Sequence, residues 1–313
     1  MNKLTSLLLG LLAVAVIACA VFFGVSRTRQ NIGTPSQDRQ GRAYPNRDNS
    51  YIEPNRTAST DERRVGIDSL SKSKIGWGPG REVNEKNQTV SSIEAQNKYS
   101  KLGGYFIFPD DDRVIYLTFD LGYENGHTES ILDSLAKHKV KGTFFITQDY
   151  VNSSPLIVER IIREGHTLAN HTVKHPSVPS ISDARLNDEI MHLHTFILDK
   201  YGYSMTLFRY PMGEFSEYSL AKINELGYKS IFWSFAYKDW VTDAQPDPDS
   251  SLKKIVGSLH PGAIFLLHAV SSTNDMIMND FLTEAELLGY RFGIIDEKLG
   301  LVESEPKEET VLN

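Results

Sequence analysis

Between Arg113 and Asp296, short apolar runs alternate with amphipathic stretches of helical period, and this alternation constrains the fold more than any other feature. Val114-Ile115-Tyr116-Leu117-Thr118-Phe119 reads as a buried strand, and Thr128 to His138 then carries Ile131, Leu132 and Leu135 at helical spacing. Thr143 to Ile146 reads as the next strand, followed by a helix opened by Ser154-Pro155, where proline suits a first turn. Thr167-Leu168-Ala169 is a short strand, and Ser182 to Tyr201 a long helix with Ser182 as its cap. Leu207-Phe208 runs into Arg209, Ser216 to Leu226 forms a helix stopped by Gly227, and Lys229 to Trp233 is a strand. Ser251 to Leu259 (helix), Ala263 to Leu267 (strand), Asp275 to Leu288 (helix) and Arg291 to Ile295 (strand) complete the series. Such repetition predicts an α/β fold in which helices cover a parallel sheet. An open doubly wound sheet and a closed barrel satisfy the pattern equally.

The flanks differ in kind. Leu7 to Val25 carries no charge, with Lys3 before it and Arg27 and Arg29 after it. As a helix it would span roughly 28 Å, close to a bilayer's hydrocarbon thickness. Residues 1–25 are therefore expected to be a single-pass membrane anchor, a signal peptide cut after Ala18-Cys19-Ala20, or a lipid-attachment segment ending at Cys19. The charge flanks do not set orientation. Residues 26–72, rich in Arg, Asn, Asp, Ser and Pro, cannot bury enough surface to offset ordering entropy and should form a disordered tether. Residues 73–112 are expected to pack as an extension on a domain at 113–298, and 299–313 form an acidic tail. The net charge of −7 gives no support to a nucleic-acid partner. Cys19 is the lone cysteine, so an internal disulfide is excluded and any metal site must use His, Asp or Glu.

The suggestive polar residues share one address, the carboxyl ends of the strands, where parallel α/β folds build their sites. Asp120 ends the first strand, His171 and His175 follow the third, Arg209 follows the fourth, Asp239 lies beyond the fifth, and His268 ends the sixth. On a helical turn, His171 and His175 would lie on one face within reach of one metal. Asp120 beside a metal would take a proton from water, and Arg209 would hold it ionised through a two-pronged hydrogen bond. Asp239 would stabilise the His268 imidazolium, so that this histidine serves as an acid. His127, His138, His166, His192, His194 and His260 are read as ordinary structural or surface residues. A serine hydrolase is disfavoured by the absence of Gly-x-Ser-x-Gly.

Thr118-Phe119-Asp120, His171-Thr172-Val173-Lys174-His175, Arg209-Tyr210-Pro211, Asp239-Trp240 and Leu266-Leu267-His268 resemble, in order and spacing, the motifs of the NodB-homology polysaccharide deacetylases. Gly122-Tyr123-Glu124-Asn125-Gly126 and the run Phe232 to Trp240 look most like the delta-lactam-forming branch, which acts on N-acetylmuramic acid of peptidoglycan. The resemblance implies a distorted (β/α) barrel and metal-dependent removal of N-acetyl groups. It further implies that His171 and His175 bind a divalent metal, usually zinc. Asp120 would then be the base, positioned by Arg209, and His268 the acid, oriented by Asp239. The Met212 N–H would hold the oxyanion, while Trp240 and Leu266 would wall the acetyl pocket. A glycan substrate places the domain outside the cell membrane, or secreted if the segment is cleaved.

One position departs from the family pattern. A second acid usually follows the catalytic Asp as third metal ligand, and here that residue is Leu121. Either water and substrate complete the shell, or metal and activity are lost. Two alternatives follow: deacetylation of another polymer (chitooligosaccharide, poly-N-acetylglucosamine, acetylxylan), or a non-catalytic carbohydrate-binding protein on a degenerate barrel.

Overall fold

The computed structural model describes residues 66–110 and 112–302. The Leu7–Val25 segment, Cys19, most of the expected tether and the acidic residues 303–310 lie outside the described residues. Among the described residues no helix is long and apolar enough to cross a membrane.

The chain runs β1 (Ile75–Gly76), α1 (Val90–Tyr99), β2 (Gly104–Tyr105), β3 (Val114–Leu121), α2 (Thr128–Lys137), β4 (Thr143–Ile146), α3 (Gln148–Ser153) and α4 (Pro155–Arg163). It continues with β5 (Thr167–Asn170), α5 (Asp183–Tyr201), β6 (Leu207–Phe208), β7 (Glu214–Phe215), α6 (Glu217–Glu225) and β8 (Lys229–Ile231). The last elements are β9 (Phe235–Ala236), α7 (Pro248–Gly257), β10 (Ala263–His268), α8 (Ser272–Leu287), β11 (Arg291–Phe292) and α9 (Ile295–Lys298).

Nine parallel strands form one sheet in the order β2-β8-β6-β5-β4-β3-β10-β9, with β11 also pairing β3. Every residue of β3, β4 and β5 is buried, which explains why these strands read as near-continuous apolar runs rather than alternating ones. No ladder joins β9 to β2 among the described residues, so the sheet is a curled half-barrel and not a closed one. The expected barrel is thus present in its coarser form.

Most helices fall where the periodicity puts them. Ser182 caps α5 by accepting the Arg185 N–H, and Ser216 with Ser219 forms a capping box on α6. Several boundaries differ, among them helix α8, which starts at Ser272 rather than Asp275. The run Arg291 to Ile295 keeps strand form only to Phe292, after which Ile295 opens α9. Strand β8 ends at Ile231 rather than Trp233, because the chain there turns its carbonyls onto Arg209. Helix α7 starts at Pro248, capped by Asp247, earlier than Ser251.

The 75–108 segment is stitched to the barrel. β1 pairs antiparallel with β7, and the Gln88 side-chain amide donates to the carbonyls of Pro109 and Pro261. Phe106 stacks on Phe232 at 4.2 Å between centroids, inside the single buried core. Gly262 is required at its position: its φ is +71°, and a Cβ there would lie 1.7 Å from the Phe108 carbonyl oxygen.

Candidate active site

At the carboxyl ends of the strands lies a cleft of about 700 Å³. Asp120, next to last in β3, and His268, last in β10, are paired in register on adjacent strands. His171, His175, Met212, Trp240 and Leu266 also line the cleft, while Arg209 and Asp239 are fully buried beneath it. All nine residues expected from the sequence therefore gather in and under one cleft.

Asp120 sits in a field of positive charge. Arg209 Nη1 donates to its Oδ1 at 2.8 Å and to Thr118 Oγ1 at 2.8 Å. The remaining guanidinium donors go to the carbonyls of Ile231 and Phe232, so Arg209 grips Asp120 with one prong and not the expected two. Burial by itself pushes the Asp120 carboxyl upward, but the charge and hydrogen bond of Arg209, with the charge of His268, prevail and hold it below the usual carboxylate value.

Opposite it, His268 Nδ1–H donates to Asp239 Oδ1 at 2.7 Å, and the His268 backbone N–H donates to Asp239 Oδ2 at 2.8 Å. Burial would lower this imidazole, but the hydrogen bond and charge of Asp239 and the charge of Asp120 outweigh it and raise the pKa. Nε2 is then the ring nitrogen left for the substrate. Asn274, which the sequence did not single out, donates to Asp239 Oδ2 at 2.6 Å and to the His268 carbonyl at 3.0 Å, and is itself held by the Tyr237 hydroxyl.

The two histidines are brought together differently from expectation. Residues 171–175 form a loop and not a helical turn, with Thr172 and His175 in left-handed conformation at φ of 71° and 55°. Buried Glu189 on α5 tethers that loop, its carboxylate accepting the Lys174 N–H at 2.7 Å and its carbonyl the Val173 N–H at 3.1 Å. The Thr172 hydroxyl accepts the His175 N–H at 2.9 Å. Left-handed non-glycine residues cost energy, and these contacts are what sustain them. The ring centroids end 4.8 Å apart.

Among the described residues no group of three or more His, Cys, Asp or Glu side chains is placed to hold a metal ion. The donor chemistry nevertheless fits one. His171 Nδ1 donates to the Arg209 carbonyl at 2.9 Å, which leaves Nε2 with a lone pair facing Asp120 Oδ2 at 3.5 Å. Two acceptors so placed repel unless a cation stands between them. Burial lowers the pKa of His171 to about 4 and also lowers that of His175, so both are neutral, the ligating form. Leu121 supplies no third ligand: it is fully buried in the core and does not line the cleft.

His192 is exposed, and most of the other histidines have structural partners. His127 pairs with Asp275, His138 with Glu286, and His260 with Ser234. His194 is buried more deeply than expected, its Nδ1 2.5 Å from the Tyr228 hydroxyl.

A half-barrel with a carboxylate and an imidazole side by side on adjacent strands, in one cleft with a two-histidine loop, defines a hydrolase of the polysaccharide deacetylase type. The polysaccharide deacetylase family model matches residues 109–231. The chain is 35% identical over 231 residues, 74% of its own length and 88% of the relative's, to the peptidoglycan-N-acetylmuramic acid deacetylase PdaA of Bacillus subtilis. The solved structure of PdaA, a family 4 carbohydrate esterase, superposes with a TM-score of 0.70, covering 74% of this chain and 99% of that one. A family 4 carbohydrate esterase from Bacillus anthracis matches at 31% identity and a TM-score of 0.60, over 74% of this chain and 99% of that one. The peptidoglycan-N-acetylglucosamine deacetylase of Bacillus cereus is 30% identical over 61% of this chain and 90% of its own. The chain belongs to the polysaccharide deacetylase family.

Proposed function

We propose that this chain hydrolyses N-acetyl groups on a cell-wall glycan, with N-acetylmuramic acid of peptidoglycan as the substrate sugar. The observation that carries the reading is the placement, side by side on adjacent strands of one cleft, of Asp120 held by Arg209 and His268 held by Asp239. Similarity to PdaA over nearly all of that protein's length supports the choice of sugar.

Asp120 takes the proton of the attacking water, and Arg209 keeps the carboxylate ionised and aimed. His171 and His175 would hold a divalent ion, zinc by the resemblance, whose charge polarises the acetamide carbonyl when bound. The Met212 N–H, on a residue with φ of 58°, is assigned to the oxyanion. His268 then passes its Nε2 proton to the nitrogen as the C–N bond breaks, leaving acetate and an amine. Leu266 and the Trp240 ring, 5.4 Å from the His268 ring, border the acetyl group. An extracytoplasmic domain, held by or released from the Leu7–Val25 segment, completes the proposal.

Acetate release from purified peptidoglycan is the deciding assay, followed by mass spectrometry of the glycan. Glucosamine rather than muramic acid as the free-amine sugar would overturn the substrate, and no acetate at any divalent-ion concentration would favour the non-catalytic reading that Leu121 motivates.

The pH profile gives an independent check. His268 must be protonated to act, and Asp239 raises its pKa, so activity should fall on the basic side above the ordinary imidazole range. In Asp239→Asn the raising charge is gone while burial, which lowers the pKa, remains. The basic limb should therefore move to lower pH. An unmoved limb would dissociate Asp239 from the acid.

A further inference from the structure

Among the described residues lining the cleft, Lys174 is the one lysine or arginine. Arg209 lies under the floor, fully buried and committed to Asp120. Lys174 Nζ pairs with Asp149 Oδ1 at 2.8 Å, the two side chains being 56% and 60% exposed. A pair this exposed contributes little, because water competes for both charges. The backbone of Lys174 is held quite differently, by the buried Glu189 carboxylate. So the lysine's Cα is fixed one residue from His175, while its ammonium is held only by an exchangeable carboxylate.

Apart from the histidines assigned to the reaction and the Thr147 and Tyr123 hydroxyls, the remaining walls offer a carboxylate little. Trp77, Tyr123, Trp233, Trp240 and Val270 present apolar or aromatic surface, suited to sugar faces, and Asp120 and Asp149 repel an anion. N-acetylmuramic acid differs from N-acetylglucosamine by a lactyl ether on the carbon next to the one bearing the acetamide. With the acetamide between Asp120 and His268, the lactyl carboxylate emerges only a few bonds away.

We propose that Lys174 is a specificity-determining residue that receives the carboxylate of the substrate sugar, exchanging Asp149 for it. The proposal rests on the muramic-acid reading above. A neutral sugar leaves the Lys174–Asp149 pair intact and gains nothing from it. An acidic sugar takes the ammonium, and Asp149 returns to water at little cost. Discrimination arises because the site places its one mobile cation where only the acidic sugar has a partner.

The test uses soluble glycan strands of alternating N-acetylglucosamine and N-acetylmuramic acid with free lactyl carboxylates, and the same strands after conversion of those groups to methylamides. Wild type should favour the acid about tenfold in kcat/KM, and Lys174→Met should bring the ratio near one. Asp149→Asn should raise the ratio, since the ammonium loses its competing anion. Taking the ratio within each variant cancels any loss of folded protein. A wild-type ratio of one, or a Lys174→Met ratio equal to wild type, overturns the proposal. Calorimetric binding of N-acetylmuramic acid against N-acetylglucosamine to wild type and Lys174→Met separates the proposal from the reading beneath it. A lysine-dependent preference for the acid without acetate release keeps the carboxylate site and removes the deacetylase. Acetate release from muramic residues with no dependence on Lys174 does the reverse.

Discussion

Asp120→Asn should cut acetate release about a thousandfold, the middle of the range for losing a general base. The amide keeps the shape of the side chain and can still accept from Arg209, so the geometry of the cleft survives. It cannot take a proton from water. The same substitution should destabilise the fold by roughly 3 kcal/mol, because it strips Arg209, fully buried, of its anionic partner. Thr118, the two backbone carbonyls and the Phe145 ring, 4.1 Å from the guanidinium carbon, moderate that cost without replacing the charge. Activity per folded molecule and a denaturant curve measure the two effects separately. Retention of more than a tenth of turnover would assign the base elsewhere; unchanged stability would mean that water reaches Arg209.

Leu121→Asp is the second large effect. The family pattern puts a metal-binding carboxylate at this position, yet Leu121 has no exposed surface and packs in the apolar core. A carboxylate there is desolvated, and the variant should lose on the order of 3 kcal/mol or more in metal-free buffer. Zinc should recover more of that loss in the variant than it adds to wild type, because a third oxygen ligand raises affinity for the folded state alone. Melting temperatures of both proteins across a zinc titration decide the matter. A variant indifferent to zinc would show that the Leu121 side chain points away from the two histidines. His171→Ala should be insensitive to zinc in either background.

The residues that gather at the cleft were legible in the sequence for a simple reason. A charged or imidazole side chain at the end of an uninterrupted apolar run has few places to go except the rim of a parallel sheet, and Asp120, Arg209 and His268 all stand there. The reach of Asp239 to His268 followed from the same geometry. The shape of the 171–175 loop was not legible, since a four-residue spacing suits a helical turn and a left-handed loop alike. The contacts that enforce the loop come from distant residues. Glu189 did leave a trace: it falls on the apolar face of α5 with Leu186, Ile190, Leu193 and Ile197, an acid among buried neighbours. Asn274 left none, because an asparagine in the first turn of a helix looks like any polar residue near a cap. The grip of Arg209 was overestimated because its demand for backbone carbonyls depends on where β8 ends.

Trp77 joins this chemistry from outside the region that carries the motifs. Its indole N–H donates to the Trp233 carbonyl at 2.9 Å, its ring meets Phe106, and its side chain forms part of the cleft wall. The family match begins at residue 109 and stops at 231, leaving out Trp77 on one side and Asp239 and His268 on the other. The unit that can be inherited, shuffled or transplanted with its activity intact is therefore wider than the recognisable motif block. A graft cut at the motif borders would carry Asp120, His171 and His175 but neither His268 nor that wall. Recombination within this architecture should be tolerated only at breakpoints lying before β1 and after α9, because Asn274 on α8 holds Asp239 and β11 pairs β3.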